Sequence, residues 1–100
     1  MTQMMEVRGR STRVFTDDGK TIIQYHATRV VEFTPDTITL RSGGYETFTT
    51  KARMNQAAHQ YSLGYSVYQA RRIWYVTTPA GEFPFTNGMQ INRATGEVIR

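Results

Sequence analysis

The chain has 100 residues, of which 39% are hydrophobic and 20% are charged, a balance typical of one globular domain and not of a disordered chain. Its formal net charge of +4 favours anionic partners such as nucleotides, nucleic acids or acidic proteins. The absence of cysteine excludes disulfides and thiolate metal sites, and no apolar run approaches the roughly 20 residues of a membrane-spanning helix.

The first third of the chain predicts an arm followed by strands. Residues 1–12 are polar and weakly patterned, and we interpret them as a flexible arm without the basic and apolar regions of a signal peptide. Residues 14–23 predict a hairpin, because Asp18 and Gly19 form a typical tight turn between two apolar runs. The segment Tyr25–Phe33, rich in β-branched and aromatic residues, predicts a continuous strand.

A turn and one further strand precede the middle of the chain. Proline favours a turn at residues 34–36. Residues 37–41 then alternate between polar and apolar side chains, which predicts a strand with Ile38 and Leu40 facing the core. The glycines Gly43 and Gly44 end this strand.

The middle of the chain predicts the one helix. Within residues 50–61, apolar side chains recur at i, i+3, i+4 and i+7, the spacing of a helix face, at Met54, Ala57, Ala58 and Tyr61. Thr49 or Thr50 is the expected N-cap. Gly64 lies where a residue in the left-handed conformation is expected to end the helix.

After Gly64 the hydrophobic period returns to two, which predicts short strands at residues 65–69, 73–78, 83–85, 89–92 and 97–99. The pattern as a whole predicts a single α+β domain over residues 1–100. One short helix packs on an antiparallel, highly twisted sheet of about six to eight short strands.

The residues suited to catalysis are few. The one adjacent pair of carboxylates, Asp17 and Asp18, lies in the predicted hairpin turn, where turn formation explains it. The two histidines, His26 and His59, do not belong to a metal-ligand spacing. We therefore expect a binding protein that is not an enzyme and carries no cofactor or metal.

The start of the helix predicts an anion site. A helix N-terminus presents free N–H groups and about half a positive charge, which attract phosphate. Gly44 leads into this start, the hydroxyls of Thr49 and Thr50 add donors, and Lys51 and Arg53 add positive charge. Ordinary helix capping by threonine is the alternative.

A second group of predicted ligand contacts combines amide, aromatic and guanidinium side chains. Asn55 could read a base edge or a ribose, or could lie on a solvated face. Tyr68 and Trp74 could stack on bases beside Arg71, or could form an aromatic sheet face or an oligomer interface. The full predicted ligand-binding set is Gly44, Tyr45, Thr49, Thr50, Lys51, Arg53, Asn55, Tyr68, Arg71 and Trp74.

Several segments carry a family resemblance, in the order YHAT, GG, TTKARMNQ and LGYSVYQ, within about residues 20–92. This order resembles a widespread family of small phage-encoded proteins, which is similar to the phage anti-CBASS sponge proteins. The resemblance implies that a cyclic dinucleotide signal is sequestered in the host cytoplasm without hydrolysis. It also implies a homo-oligomer, a dimer or tetramer, in which two subunits contribute to the site at the helix start.

The leading hypothesis is accordingly a phage immune-evasion protein that captures a cyclic nucleotide. Two alternatives stay open on the sequence: a small DNA- or RNA-binding module, and an anti-defence inhibitor that blocks a host protein. No membrane partner is expected.

Overall fold

The computed structural model describes residues 11–44 and 46–99, and in them one helix and nine strands are assigned. The elements are β1 (Thr12–Asp17), β2 (Lys20–Tyr25), β3 (Thr28–Phe33), β4 (Thr37–Leu40), α1 (Phe48–Gln60), β5 (Ser66–Ala70), β6 (Ile73–Thr78), β7 (Gly81–Pro84), β8 (Met89–Asn92) and β9 (Val98–Ile99). No helix in these ranges is long and apolar enough to cross a bilayer.

The strands form two antiparallel sheets, one of six strands in the order β1-β2-β3-β4-β8-β9 and one of three in the order β5-β6-β7. The helix α1 contacts β2 and β3 of the larger sheet and β5 of the smaller. Buried side chains from both sheets and from α1 join in one core, among them Ile23, Val31, Ile38, Leu40, Met54, Ala57, Val67, Trp74 and Val76. The predicted α+β class, with a short helix on antiparallel strands, is confirmed.

The predicted continuous strand over residues 25–33 is wrong, because the chain turns at His26 and Ala27 between β2 and β3. His26 adopts a φ of 55°, in the left-handed region that glycine and asparagine usually occupy. Its N–H donates to the C=O of Ser11 (2.9 Å), and its own C=O accepts from Gln24 Nε2 (2.9 Å). A turn without a typical turn residue left no signal in the sequence.

The helix begins two residues earlier than predicted. Thr47 is the N-cap, and its Oγ1 accepts a hydrogen bond from the N–H of Thr50 (3.2 Å). Thr49 and Thr50, the predicted caps, therefore lie inside the first turn. An N-cap side chain bonds to the N–H three residues on, and in a threonine-rich stretch the sequence alone did not show which threonine takes that role.

The predicted apolar stripe is largely correct, and the helix ends before the predicted stop. Met54, Ala57 and Ala58 are buried. The helix ends at Gln60, and Ser62, which follows the C-cap residue Tyr61, takes the left-handed conformation with φ of 53°. Gly64, the predicted stop, is also left-handed, with φ of 80°.

The strand β1 begins inside the segment that was interpreted as an arm. Thr12 already pairs with Tyr25 of β2, so the sheet starts two residues before the predicted hairpin. The rest of the predicted arm, residues 1–10, lies outside the described residues.

Candidate functional site

A cleft of about 380 Å³ opens where the β2–β3 turn faces the loop that leads into α1. Its walls are the four consecutive residues 25–28 on one side, and Ser42, Thr47 and Thr50 on the other. Its volume lies near the lower end of the range of small-molecule pockets, about 300–1,000 Å³.

The loop wall of the cleft depends on a glycine. Gly43 has a φ of 67°, and a Cβ placed on it would lie 2.5 Å from Thr28 Oγ1. The loop is held further by Asn87, whose Oδ1 accepts the N–H of Ser42 (2.9 Å). The N–H of Gly44 donates to Ser42 Oγ (3.2 Å). Only glycine lets the backbone approach Thr28 this closely, so Gly43 determines how the two walls meet.

The cleft lies at the N-terminus of α1, whose partial positive charge attracts anions. The first turn of α1 contains no acidic residue, and the nearest carboxylate along the chain is that of the exposed Glu46, directly before the N-cap. Arg53 stands behind the aromatic wall, with its guanidinium carbon 5.7 Å from the ring centroid of Tyr25. Its Nε donates to Thr12 Oγ1 (2.8 Å), which orients the side chain along β1.

The structure brings part of the first predicted group to this cleft. Thr50 lines it, although its side chain is buried and its Oγ1 lies 3.1 Å from that of Thr47. Gly44 lies in the loop that leads into α1 and Thr49 in the first turn of α1, but neither residue lines the cleft. Tyr45, also predicted to bind ligand, lies outside the described residues.

Lys51 lies beside a neighbouring hollow and does not line the cleft. Its ammonium is 5.9 Å from the ring centroid of Phe48, and the hollow is lined by Phe48, Lys51 and Asn55 among others. Phe48 is 78% exposed although it is a large apolar residue. The positive charge of Lys51 therefore stands next to the cleft and not within it.

Asn55 has a structural role instead of the predicted ligand contact. Its Nδ2 donates to the C=O of Val67 (2.8 Å), and its Oδ1 accepts the N–H of the same residue (2.8 Å). The Asn55 amide thus pairs with the backbone of β5 as a neighbouring strand would, and it links β5 to α1. Both the oxygen and the nitrogen of the amide are therefore engaged with the backbone of β5.

Trp74 was predicted to stack on a ligand, and the structure places it in the core. Its side chain is 3% exposed, and its ring meets that of Phe85 edge-on with centroids 5.3 Å apart. A strand sends alternate side chains to opposite faces, and Trp74 falls on the inner face of β6. No ring face is left for a base.

Tyr68 and Arg71 lie on the small sheet, and no contact of the described residues joins them to the cleft. The rings of Tyr68 and Tyr75 stack with centroids 5.5 Å apart. The Tyr68 hydroxyl donates to Glu82, and this hydrogen bond is the main cause that raises the pKa of Tyr68 to about 12. Arg71 is exposed in the two-residue turn between β5 and β6.

Of the seven residues that line the cleft, the predicted set contained Thr50 alone. It lacked the other six, which are Tyr25, His26, Ala27, Thr28, Ser42 and Thr47. The segment YHAT belongs to the family pattern, but its composition predicted a continuous strand. Within residues 11–44 and 46–99 no group of three or more His, Cys, Asp or Glu side chains could hold a metal ion.

Comparison with known proteins gives a family. A family model described as "Kyanoviridae Gp96 protein" matches residues 1–92, a range that contains the whole cleft. No curated protein and no solved structure matches the chain. Because the family model covers far more than half of the sequence, the chain belongs to the Kyanoviridae Gp96 protein family, a family of phage proteins.

Proposed function

We propose that the protein binds and sequesters a cyclic oligonucleotide signal of the infected cell, without hydrolysing it, in the cleft at the start of α1. The observation that carries the proposal is the cleft itself. An open hollow bordered by hydroxyl groups and by the rings of Tyr25 and His26, whose centroids are 4.4 Å apart, lies at the N-terminus of α1.

The phosphate and the base of a nucleotide each have a matching group at this cleft. The helix N-terminus and the hydroxyl of the exposed residue Thr47 suit a phosphate, since N–H and O–H donors bind its oxygens. The ring of Tyr25, with Arg53 beside it, offers a face for a nucleobase, because aromatic and guanidinium planes both stack on bases. With its small volume, the cleft suits one nucleotide unit of a cyclic ligand better than the whole ring.

The experiment is isothermal titration with a panel of cyclic di- and trinucleotides, applied to the wild-type chain and to two matched tryptophan variants. Ala27→Trp places a large ring in the cleft wall. Ala94→Trp makes the same change in an exposed turn before β9. We expect one member of the panel to bind, Ala27→Trp to weaken it at least about tenfold, a loss of about 1.4 kcal/mol, and Ala94→Trp to leave it unchanged.

Two results would overturn this proposal. If no cyclic nucleotide binds at any concentration tested, the ligand class is wrong. If a cyclic nucleotide binds but Ala27→Trp and Ala94→Trp behave alike, the site lies elsewhere. Recovery of the intact ligand after protein denaturation, checked by mass spectrometry, separates sequestration from hydrolysis.

A nucleic-acid-binding function is the second candidate, and one observation favours it. Arg71 and Arg72 form the exposed tip of the β5–β6 hairpin, and the stacked pair Tyr68 and Tyr75 lies on the same hairpin. This function predicts oligonucleotide binding that weakens steeply with salt and is lost in an Arg71→Ala, Arg72→Ala double variant. Binding that survives in that variant would exclude the hairpin tip.

A further inference from the structure

The strand β1 forms one edge of the six-stranded sheet, and it is the longest edge strand of the described residues. Of the other edges, β9 has two residues, β7 contains Pro84, and β5 is covered at Val67 by the Asn55 amide. In contrast, β1 pairs with β2 in unbroken register from Thr12 to Asp17, without proline or bulge. Proteins usually protect such an edge, because its free N–H and C=O groups pair readily with another strand.

The geometry of the β1–β2 hairpin shows which residues offer these free groups. Asp18 and Gly19 have φ values of 51° and 78°, which is a type I′ turn closed by a hydrogen-bonded pair, Asp17 with Lys20. Opposed residues in an antiparallel ladder alternate between bonded and non-bonded pairs. The bond from His26 N–H to Ser11 C=O keeps the same alternation at the other end. It follows that the backbone groups of Val14 and Thr16 point away from β2.

The side chains of β1 are complementary to themselves. Arg13, Phe15 and Asp17 share the face of the sheet opposite the core, since Val14, between Arg13 and Phe15, pairs with the core residue Ile23. If β1 meets a second β1 antiparallel with the two Phe15 residues opposite each other, each Arg13 stands opposite an Asp17. Opposite charges and aromatic pairs directly across a ladder are both stabilising.

The backbone is compatible with the same alignment. With Phe15 opposite Phe15, the residues that pair by hydrogen bonds are Val14 of one copy and Thr16 of the other, whose N–H and C=O groups are those that face outward. Centring the pairing on Val14 also satisfies the backbone, but it sets Arg13 opposite Phe15 and leaves Asp17 without a cation across the ladder. Charge therefore selects the alignment centred on Phe15.

We propose that β1 is a homodimer interface, at which the β1 strands of two copies pair antiparallel about Phe15 and join two six-stranded sheets into one. Within one copy, the guanidinium carbons of Arg13 and Arg29 lie 5.1 Å and 5.6 Å from the ring centroid of Phe15, so the pairing requires Arg13 to turn from this ring toward Asp17 of the other copy. Asp17 lies 3.9 Å from Arg29, at a largely exposed and hence weak ion pair, so its carboxylate can accept a second cation. Val14, which is 43% exposed in the single chain, loses part of that exposure.

The test is a charge-reversal series followed by sedimentation velocity across a wide range of protein concentration. Arg13→Glu sets a new carboxylate opposite Asp17 of the other copy, and Asp17→Arg sets a new guanidinium opposite Arg13. Either change therefore converts both attractive pairs into repulsive ones and is expected to raise the dimer dissociation constant by about tenfold or more. Mixing the two single variants restores both attractive pairs in a heterodimer, and so does combining the two changes in one chain. Asp36→Arg, the same charge change in the exposed β3–β4 turn, is the matched control and should dimerise as the wild type does.

Three outcomes would overturn the proposal. They are a wild-type chain that stays monomeric at every concentration, single variants that dimerise as well as wild type, and a mixture or double variant that fails to recover dimerisation. Circular dichroism of each variant shows that it is folded. A Val14→Pro variant adds a test independent of charge, since it removes an outward N–H that the dimer needs and the β1–β2 ladder does not. None of these readouts involves a nucleotide, so the interface and the proposed function can fail separately.

Discussion

Replacing Asn55 by alanine is expected to destabilise the fold strongly. The side chain makes two hydrogen bonds of 2.8 Å to the backbone of Val67, and a hydrogen bond contributes about 1 kcal/mol net. Val67 is 2% exposed, so its N–H and C=O groups would lose their partners in a place with little access to water. Leaving such a group unpaired costs about 1–3 kcal/mol. The expected loss in the free energy of unfolding is therefore about 2–4 kcal/mol, against about 5–15 kcal/mol for a whole domain.

The matched control is Asn92→Ala. Asn92 Oδ1 also accepts two backbone hydrogen bonds, from Ala94 (2.8 Å) and Thr95 (3.1 Å), but these lie in an exposed turn where water can replace the amide. We expect this variant to lose no more than about 1 kcal/mol. The two variants thus replace the same residue type in the same way and remove the same number of hydrogen bonds. They differ in whether water can reach the backbone groups that lose their partner.

The assay is urea unfolding followed by the fluorescence of Trp74, the single tryptophan of the chain and a core residue at 3% exposure. For a domain of this size, a loss of 2–4 kcal/mol corresponds to a fall in melting temperature of roughly 10–25 °C. Equal losses in Asn55→Ala and Asn92→Ala, or a loss below about 1 kcal/mol in Asn55→Ala, would refute the role assigned to the Asn55 bridge.

Two further predictions concern the small sheet. Arg71 and Arg72 have φ values of 52° and 69°, a region that asparagine and glycine tolerate far better. The double variant Arg71→Asn with Arg72→Gly should therefore raise the free energy of unfolding by about 1–2 kcal/mol. A lower melting temperature would contradict the turn geometry. The hydrogen bond from Tyr68 to Glu82 raises the pKa of Tyr68 to about 12, above its ordinary value of about 10. The stability that this hydrogen bond contributes to the fold is therefore fully present below about pH 10 and is lost between about pH 10 and 12. Glu82→Gln should lower the pKa of Tyr68, measured by ultraviolet absorbance of tyrosinate, and an unchanged titration would exclude this hydrogen bond as the cause.

Local patterns predicted the elements that depend on local chemistry. The bounds of β6 and β8 agree with the period-two segments at residues 73–78 and 89–92, and the Asp18–Gly19 turn forms as expected. The turn at His26 could not be predicted, because neither His26 nor Ala27 favours a turn. What holds it is a contact with Ser11, fifteen positions away.

Two predicted site residues, Trp74 and Asn55, lie where their local sequence did not indicate, for a related reason. The β5–β6 hairpin carries aromatic side chains on both faces, so alternation shows that Trp74 and Tyr75 point in opposite directions but not which of them faces the core. Asn55 looks like a surface amide on a helix, and only the arrival of β5 twelve residues later gives it a partner. Both outcomes are decided by tertiary packing, which no local window contains.

The position of the cleft and the proposed β1 interface together determine how many ligands a dimer would hold. The cleft adjoins the end of the β1–β2 ladder where His26 bonds to Ser11. Antiparallel pairing of two β1 strands sets this end of one copy beside the Asp18–Gly19 turn of the other. The two clefts then lie at opposite ends of the paired strands, too far along the ladder to share one small ring. We therefore expect one ligand per chain, and native mass spectrometry that found one cyclic nucleotide per dimer would require a different interface for the shared site.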